Sequence, residues 1–481
     1  MKGRTLLFIS AAILAANLLF RLANQALMIW NFPLDGTDWS THLFELWAFA
    51  KYGFHGWVPN WFGGYELFKF YTPGWYFLAL PIYWLAGKVE LAGYLSLLAL
   101  FALGAASTYL LGKLNGFSRL QMILFYLFFF ANALGIANFI RNGRVAEFTA
   151  WVVFIALTAI LVYFKDRGLN WKFIFVAPLF AMLILSHFTE PILLSLLFLG
   201  FLLVKNNRER IIACATMLAG MLMTSFWLWS LLRDAKDSYI TQLKYSERLL
   251  HLSFFENILL TAVVCAFLLA FYFYIRSSEK PREEFIFFLP SIIFAVLLFL
   301  KLTPQIPLFD RIYPHPAMAF LILLGLFFFF KSGLSSKPAF AAALLLVALA
   351  SVGFNALDTA PYTTHNSIAV EYLEILPHIS AQYSVLGVIG SIYPIGLCSY
   401  GPIYFNLNAS CGWMPTAMSI ERRAKHDLAK QYLAKDDCAA FDILKKTGTA
   451  QMVAPNKTCA YFKKCNLAPV YHNSVACLYN L

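Results

Sequence analysis

Charged residues are scarce in this chain. Asp, Glu, Lys and Arg make up 13% of its 481 residues, whereas hydrophobic residues make up 60%. Soluble globular domains average about 25% charged and about 45–50% apolar residues. The shortage of charge therefore excludes an ordinary soluble domain and predicts a polytopic membrane protein.

Zinc-binding cysteine motifs are missing as well. The sequence contains no CxxC pair, which argues against a structural zinc site. Six of the eight cysteines lie after residue 397, and such a cluster is typical of disulfides formed in an oxidising compartment. The other two lie within apolar runs, where we expect buried thiols. Close spacing favours two disulfides, namely Cys398–Cys411 and Cys459–Cys465.

Long apolar runs fill the first 356 residues. A helix that crosses the hydrocarbon core needs about 20 apolar residues. The run over 73–87 is short and contains two prolines, so we interpret it as interfacial rather than spanning. We predict an all-α, polytopic arrangement of about eleven transmembrane helices over 1–356, with a first outer loop at 30–72. The helical runs lie near 5–29, 89–111, 120–139, 147–164, 172–187, 190–204, 211–231, 256–275, 284–301, 316–331 and 338–356.

The distribution of Lys and Arg predicts the topology. If the amino terminus is cytoplasmic, the short inside loops carry more Lys and Arg than the longer outer loops, as membrane proteins prefer. The net charge of +12 then reflects topology rather than nucleic-acid binding. The first apolar run lacks a small-residue cleavage site, so we expect a retained helix and not a signal peptide. We predict a multi-pass protein of the cell (plasma) membrane.

The composition changes after residue 356. Charged residues, turns and cysteines become frequent, and "YSVLGVIG" and "AQMVAP" have the β-branched and apolar character of short strands. The stretch "MSIERRAKHDLAKQYLAKDD" has helical spacing. Residues 357–481 are therefore predicted to form a small α/β domain. Eleven helices that begin inside place this domain outside the cell, which agrees with disulfide formation.

The stretch "DGTDWSTH" follows the first apolar run. Asp38 and His42 are spaced i, i+4, so a helix would place them on one face. A carboxylate there could act as a general base, or hold a divalent metal such as Mg²⁺ or Mn²⁺ together with His42. The simpler interpretation is that Asp35 or Asp38 caps a helix that begins near residue 39.

A second outer loop reads "NFIRNGRVAEF". Arg141, Arg144 and Glu147 follow each other at intervals of three and could share one helical face. They form either a local ion-pair ladder or an arginine site for a phosphate, which suits the guanidinium geometry.

Two further outer loops carry ionisable groups. His187 lies on a tight turn close to Glu190, where a structural histidine is the simpler interpretation. Arg311 and His315 lie in "FDRIYPHP". Arg311 is either a phosphate ligand or the partner of Asp310 in a surface ion pair of little stability.

Three motifs together resemble a known family. They are "DWSTH", "WVPNWFGGYELFKFYTPGWY" and "RNGRVAE". An outward Asp just after the first helix is similar to the GT-C superfamily of integral-membrane glycosyltransferases. The fuller pattern looks like the YfhO-like prokaryotic membrane proteins, some of which are labelled 6-pyruvoyl-tetrahydropterin synthase-related. The resemblance covers roughly residues 1 to 356.

The resemblance implies an inverting transfer of a sugar from a polyprenyl (dolichyl-type) phosphate donor to a glycan, lipid or protein acceptor on the outer face. It makes Asp38 the general base and Asp35 the second choice. The chain has no Asp in its second loop, so Glu147 would stand in for it. The substrate-binding residues implied are His42, Trp57, Trp61, Tyr71, Arg141, Arg144, His187, Arg311 and His315.

Two rival functions stay open. One is a lipid or glycan transporter or flippase, which inverted internal repeats would favour. The other is a membrane scaffold whose outer α/β domain binds a partner. The first rival predicts no covalent product, and the second predicts that changes around Asp38 leave function intact.

Overall fold

The computed structural model describes residues 2–34, 37–237, 244–385, 393–412, 420–433, 435 and 437–481. Every predicted apolar run falls on a helix or on a bent pair of helices. The elements up to residue 357 are α1 (Lys2–Gln25), α2 (Asp38–Tyr52), β1 (Trp57–Val58), β2 (Tyr65–Glu66), α3 (Gly74–Ala86), α4 (Val89–Asn115), α5 (Arg119–Phe130), α6 (Ala133–Gly135), α7 (Val145–Lys165), α8 (Val176–Ser186), α9 (Thr189–Val204), α10 (Asn207–Met223), α11 (Ser225–Arg233), α12 (Phe254–Ser277), α13 (Pro281–Phe299), α14 (Pro314–Lys331) and α15 (Pro338–Leu357).

Within the described residues, six helices are long and apolar enough to cross a membrane, and the number rises to eight if each bent pair is one span. The first bent pair joins α5 to Ala133–Arg141 at 51°, and the second joins α10 to α11 at 75°. Three further apolar helices are shorter, including α3 in the predicted interfacial segment. The chain is therefore a multi-pass membrane protein, and the count of eleven spans stays a prediction.

Helix α7 lies at the centre of the bundle. Of its 18-residue apolar window, 94% is buried, against 17% for α15 at the periphery. It packs along α4, α8 and α9, while α1 packs along α15 and α12 along α14. The side chains at both ends of α7 are consequently enclosed by other helices.

The carboxyl-terminal region carries a four-stranded sheet in the order β3-β4-β6-β5. Strands β3 and β4 are parallel, with Tyr383 opposite Gln451, and the other pairs are antiparallel. Both predicted strand segments contain a strand, although 386–390 of the first lies outside the described residues. The elements are α16 (Ser367–Glu374), β3 (Tyr383–Val385), α17 (Tyr393–Phe405), α18 (Ile420–Leu433), α19 (Ala439–Lys446), β4 (Gln451–Pro455), α20 (Asn456–Lys464), β5 (Pro469–His472) and β6 (Ala476–Asn480).

Three disulfides are present among the described cysteines. Cys398 pairs with Cys411, as the spacing predicts. The predicted Cys459–Cys465 bond is wrong, because Cys459 lies inside α20 and Cys465 just beyond its end. Six residues of helix separate two Cα atoms by about 9 Å, which exceeds the reach of a disulfide. The bonds formed instead are Cys459–Cys477 and Cys438–Cys465.

The two remaining cysteines correct a second expectation. Cys214 on α10 and Cys265 on α12 are exposed rather than buried. Because lipid tails are as apolar as a protein core, a thiol on the outer surface of a membrane helix needs no burial within the protein.

The carboxyl-terminal region packs directly on the first outer loop. Helix α17 contacts α2. The Trp61 Nε1–H donates to the Cys398 carbonyl at 2.6 Å, and the Ala409 N–H donates to the Asn60 carbonyl at 2.9 Å. The first loop therefore rests between the helical bundle and the disulfide-bonded segment.

Candidate active site

Helix α2 begins at Asp38, with Thr37 as its N-cap residue. A carboxylate in the first turn is favoured by the partial positive charge of the helix amino end. The Asp38 N–H donates to the Asn142 carbonyl at 2.9 Å, and the Trp39 Nε1–H donates to the Ile140 carbonyl at 2.8 Å. These two bonds fix the start of α2 against the second outer loop.

Gly143 permits this close approach. Its φ is +73°, in the left-handed region that favours glycine. A Cβ at this position would lie 2.5 Å from atoms of the Trp39 indole. Glycine is therefore required both by the backbone conformation and by the indole packed over it, and the next residue, Arg144, is delivered beside Asp38.

We name Asp38, Arg144, Glu147 and His315 the outer cluster. Arg144 Nε lies 3.8 Å from Asp38 Oδ2, and Arg144 Nη1 lies 3.9 Å from Glu147 Oε2. The same glutamate oxygen lies 2.8 Å from His315 Nε2, which also contacts Arg144 Nη1. The side chains of Asp38 and Arg144 are 32% and 28% exposed, whereas that of Glu147 is 4% exposed. The cluster thus has a buried carboxylate and a partly exposed ion pair.

Aromatic side chains surround the outer cluster. The Trp151 Nε1–H donates to the second oxygen of Glu147 at 3.3 Å, one helical turn along α7. Tyr313 packs against His315, with ring centroids 5.4 Å apart, and stacks on Tyr245 at 4.0 Å. Both oxygens of Glu147 are therefore held by donors, which fixes the carboxylate in place.

A narrow cleft, with room for about one water molecule, opens beside Glu147 and His315. One wall is the bent helix, in which the Asn132 side chain accepts from the Gly135 N–H and restarts α6 after the break. The other wall is α14, through Ala319 and Ile322. Apart from Glu147, His315 and two asparagines, the cleft is lined by apolar residues and glycine: Phe129, Leu134, Gly135, Phe139, Ala319 and Ile322.

The turn between α8 and α9 adds a second charged pair. His187 Nδ1 lies 2.6 Å from Glu190 Oε2. Burial lowers the pKa of His187, but the charge of Glu190 and its hydrogen bond more than offset this, so the pKa of His187 is raised above its ordinary value. The Thr72 hydroxyl donates to the Ser186 carbonyl at 2.9 Å and ties this turn to the first loop.

His42 belongs to a buried hydrogen-bonded chain. Its Nδ1 lies 2.7 Å from the Tyr76 hydroxyl, which in turn contacts Glu45 Oε2. Burial lowers the pKa of His42 to about 4, with the charge of Asp38 acting in the opposite direction. Burial also raises the pKa of Glu45 to about 8, opposed by the Tyr76 hydrogen bond. His42 is therefore a neutral imidazole whose partner decides which nitrogen carries the proton.

The other predicted arginines lie in separate surroundings. The Arg141 guanidinium lies over the Tyr362 ring, 5.7 Å from its centroid. Arg311 Nε lies 3.4 Å from Asp310 Oδ1, so the pair considered from the sequence is present, although Asp310 is buried rather than at the surface. Asp35, the second candidate base, falls outside the described residues. Of the three arginines, the structure brings Arg144 to Asp38.

The three aromatic candidates differ in exposure. Trp57 is 63% exposed on the first loop, where it is accessible. Trp61 is fully buried, stacks on Phe44 at 3.9 Å and donates to a backbone carbonyl, so a substrate contact by Trp61 does not fit this structure. Tyr71 lies 6.0 Å from the His42 ring between centroids, and burial together with the charges of Glu45 and Asp38 raises its pKa.

A divalent metal was predicted on Asp38 and His42. Among the described residues, no group of three or more His, Cys, Asp and Glu side chains is arranged to hold a metal ion. Hard divalent cations prefer several oxygen ligands, and His42 gives one of its nitrogens to Tyr76. The described side chains therefore do not fit a metal centre, and no chemical step is assigned to one.

Sequence reasoning missed two residues of this region. Glu45 lies three residues after His42 and seven after Asp38, so the helical spacing already places it on the same face of α2. Tyr76 lies in the aromatic motif quoted above, but its contact with α2 depends on how α3 folds back. The first residue could have been found from its spacing, and the second needed the fold.

Known proteins resemble this chain in fold. No family model matches the sequence, and no curated protein matches it. An oligosaccharyltransferase from Archaeoglobus fulgidus, solved with zinc and sulfate, aligns at 14% identity and a TM-score of 0.57, over 94% of this chain and 68% of its own. Arabinofuranosyltransferase AftD from Mycobacteria aligns at 14% identity and a TM-score of 0.59, over 99% of this chain and 40% of its own. The archaeal oligosaccharyltransferase AglB from Archaeoglobus fulgidus, solved with an inhibitory peptide and a dolichol-phosphate, aligns at 12% identity and a TM-score of 0.58, over 96% of this chain and 70% of its own.

These likenesses show the fold. The chain shares its fold with the archaeal oligosaccharyltransferase and with the mycobacterial arabinofuranosyltransferase, and it spans less than half the length of the mycobacterial protein.

Proposed function

We propose that this chain, which has the fold of GT-C membrane glycosyltransferases, transfers a sugar from a polyprenyl (dolichyl-type) phosphate donor to an acceptor on the outer face of the membrane. The assignment to the YfhO-like branch is part of the proposal. The observation that carries it is the outer cluster, which combines a partly exposed carboxylate and guanidinium with an adjacent apolar cleft.

Asp38 is the proposed general base. Its side chain is 32% exposed at the start of α2, so an acceptor hydroxyl can reach it. The Arg144 guanidinium, with Nε 3.8 Å from Asp38 Oδ2, attracts this carboxylate and helps to hold it in position. A positioned carboxylate can remove a proton in the transition state and accelerate transfer by about 10²–10⁴.

Arg144 is the proposed partner of the leaving phosphate. A guanidinium has five N–H donors, more than its contacts to Asp38, Glu147 and His315 require. Negative charge grows on the phosphate as the glycosidic bond breaks, and a fixed cation stabilises it there. Arg141 and Arg311 remain candidates for the outer part of the donor site.

The cleft beside Glu147 supports a lipid-linked donor. Its wall of phenylalanine, leucine, isoleucine and alanine suits an isoprenoid chain, and its polar end lies at His315. A lipid phosphate with its headgroup at this polar end would contact the outer cluster, and its tail would require the helices around the narrow cleft to separate.

The reaction is then a single displacement. The acceptor oxygen forms a bond to the anomeric carbon, while the bond between that carbon and the phosphate oxygen breaks. The phosphate leaves with the electron pair, and the acceptor proton passes to Asp38. Attack opposite the leaving group inverts the anomeric configuration.

The test is sugar transfer in proteoliposomes that contain the purified full chain and a radiolabelled polyprenyl-phosphate sugar, offered with glycan, lipid and peptide acceptors. Asp38→Asn should abolish transfer while the protein still folds and inserts. Glu66→Gln is the matched control, because Glu66 is a first-loop carboxylate paired with His55 and Lys69. Wild-type transfer by D38N would remove Asp38 as the base, and donor movement across the bilayer without covalent product would favour a flippase.

A further inference from the structure

A hydrogen-bonded chain leads from the start of α2 into the protein interior. His42 Nδ1 lies 2.7 Å from the Tyr76 hydroxyl, and that hydroxyl contacts Glu45 Oε2. The three residues are 1%, 0% and 1% exposed. A buried carboxyl group is costly unless it is partnered, and an amide or apolar residue would fill this space at less cost. The glutamate therefore calls for an explanation beyond packing.

The chain has two self-consistent hydrogen-bonding states. When Glu45 is ionised, Tyr76 donates to Glu45 and accepts from the Nδ1–H of His42, which leaves Nε2 as an acceptor. When Glu45 is protonated, it donates to Tyr76, Tyr76 donates to Nδ1, and the imidazole proton lies on Nε2. A proton added at His42 Nε2 thus ends on Glu45 through Tyr76, and both His42 and Tyr76 are neutral in each state.

His42 is well placed to connect this chain to the outer cluster. It follows Asp38 by one turn of α2, and the charges of Asp38 and His187 both act on its ring. Tyr71, Trp75 and Tyr76 surround the imidazole at centroid distances of 5.6 to 6.0 Å. The aromatic walls keep water from the chain, so the exchange runs along the three side chains.

We propose that His42, Tyr76 and Glu45 form a proton relay that takes the acceptor proton from Asp38 after each transfer and holds it on Glu45. The source of that proton rests on the proposed function, whereas the relay itself is a property of the folded chain. Tyr76 and Glu45 act through His42 and are positioning residues.

Each step of the relay balances. The carboxylic acid of Asp38 gives its proton to His42 Nε2 and returns to the carboxylate. His42 Nδ1 gives its proton to the Tyr76 oxygen, and Tyr76 gives its own proton to Glu45 Oε2. No charge is created on His42 or Tyr76 at the end. Once the product has left, the reverse sequence returns the proton to Asp38, which is partly exposed and releases it to water.

Other titratable groups lie around the relay and shape its pH dependence. Asp38 precedes His42 on α2, and His187 faces it from the turn between α8 and α9. Tyr65 from β2 and Tyr71 from the segment before α3 face Glu45. Both tyrosines stay protonated across the neutral range because burial raises the pKa of each well above its ordinary value.

The experiment measures the His42 tautomer directly. The full chain is labelled with ¹⁵N-histidine in nanodiscs, and the His42 signals are identified by their loss in His42→Gln. In the wild type, the imidazole proton should move from Nε2 to Nδ1 as the pH rises, with a midpoint near 8, the pKa of Glu45. Glu45→Gln should abolish the transition, because an amide cannot release the proton. A wild-type tautomer that stays fixed from pH 6 to 10 would overturn the relay.

Tyr76→Phe is the second variant, for the case that E45Q does not fold. It removes only the oxygen that links His42 to Glu45, and the transition at His42 should disappear. The matched control is Tyr65→Phe, since the buried Tyr65 hydroxyl is near Glu45 but has no hydrogen-bond partner among the described residues. A transition that survives in Y76F, or one that is lost equally in Y65F, would contradict the relay.

Transfer assays separate this inference from the proposed function. If the enzyme transfers sugar, the wild-type rate should depend on pH with the same midpoint, and E45Q should lose that dependence. A tautomer transition that requires Glu45, in a protein that transfers no sugar from any polyprenyl-phosphate donor, would retain the relay and reject the glycosyltransferase. Sugar transfer by a protein in which the His42 tautomer does not change with pH would retain the glycosyltransferase and reject the relay.

Discussion

Helix α7 carries a buried charged group near each end, and the two ends differ. Near its amino end, Glu147 is held by His315, Arg144 and Trp151. At its carboxyl end, Lys165 contacts Glu284 and Asp166. The first set contains a histidine and reaches a partly exposed ion pair and a cleft. The second is a lysine between two carboxylates.

The comparison shows how burial of charge serves two purposes. A buried lysine and glutamate form an ion pair in which the two charges neutralise each other, which lets α7 end inside the protein. The amino-end cluster is built from groups with spare hydrogen-bonding capacity, and it opens onto space. Ion pairs at membrane depth therefore indicate a site when they are combined with access and exchangeable protons, and not by burial alone.

The largest effect on activity is expected when the buried glutamate near one end of α7 is replaced by glutamine and compared with the same replacement at the other end. Glu147→Gln should lower the rate of sugar transfer on the order of 10²–10³, because it releases the donors that surround the leaving phosphate. Glu284→Gln should leave the rate per folded molecule unchanged. The measurement is the rate of sugar transfer by equal amounts of folded protein. Equal losses of rate in the two variants would show that the two ends of α7 do not differ in function.

Stability should show the opposite order. Lys165→Met leaves two carboxylates without their cation, and removing one partner of a buried pair costs about 3–5 kcal/mol. Arg144→Met should cost at most about 1 kcal/mol, since Arg144 and Asp38 are each about a third exposed and solvent screens their attraction. Denaturant or thermal unfolding in the same detergent compares the two. A larger loss in R144M would show that the amino-end cluster is mainly structural.

His187 lies on the turn between α8 and α9, its charge interacts with that of Glu147 near the amino end of α7, and it should make stability depend on pH. The pKa of His187 is raised in the folded chain, so the native state binds more protons than the unfolded state between the ordinary value of 6.5 and the raised one. The stability from this histidine is complete below 6.5 and is lost as the pH rises through the raised value. The wild type should therefore lose more stability than His187→Gln between pH 6 and 8. The same difference between proteins with and without His187 should be found when both also carry Lys165→Met. Parallel pH curves for wild type and H187Q would contradict it.

The smallest effect is expected at the solvent edge of the carboxyl-end pair. Asp166 is 41% exposed beside Lys165. Asp166→Asn should change the free energy of unfolding by less than about 1 kcal/mol, since exposed ion pairs contribute little. A loss as large as that of K165M would mean that the lysine depends on Asp166 rather than on Glu284.

Local spacing accounts for the parts of the site that were predicted. Asp38 and His42 share a face of α2, and Arg144 and Glu147 are three residues apart and within 3.9 Å. The prediction for Arg141 followed the same spacing, but the helix that contains Arg141 ends there, and Gly143 with its φ of +73° breaks the backbone before α7, so Arg141 and Arg144 share no helical face. Contacts between neighbours in sequence are predictable only while the helix is regular.

The sequence by itself determined the membrane class, the helical runs, the carboxyl-terminal α/β region and the carboxylate at the start of α2, because apolar periodicity and charge are local properties. Only the tertiary structure decided that His315 meets Glu147 across 168 residues, that Trp61 is a core residue and that Tyr76 links His42 to Glu45. Those contacts depend on which helices pack together, and the spacing of residues within one segment does not predict which distant segment packs against it.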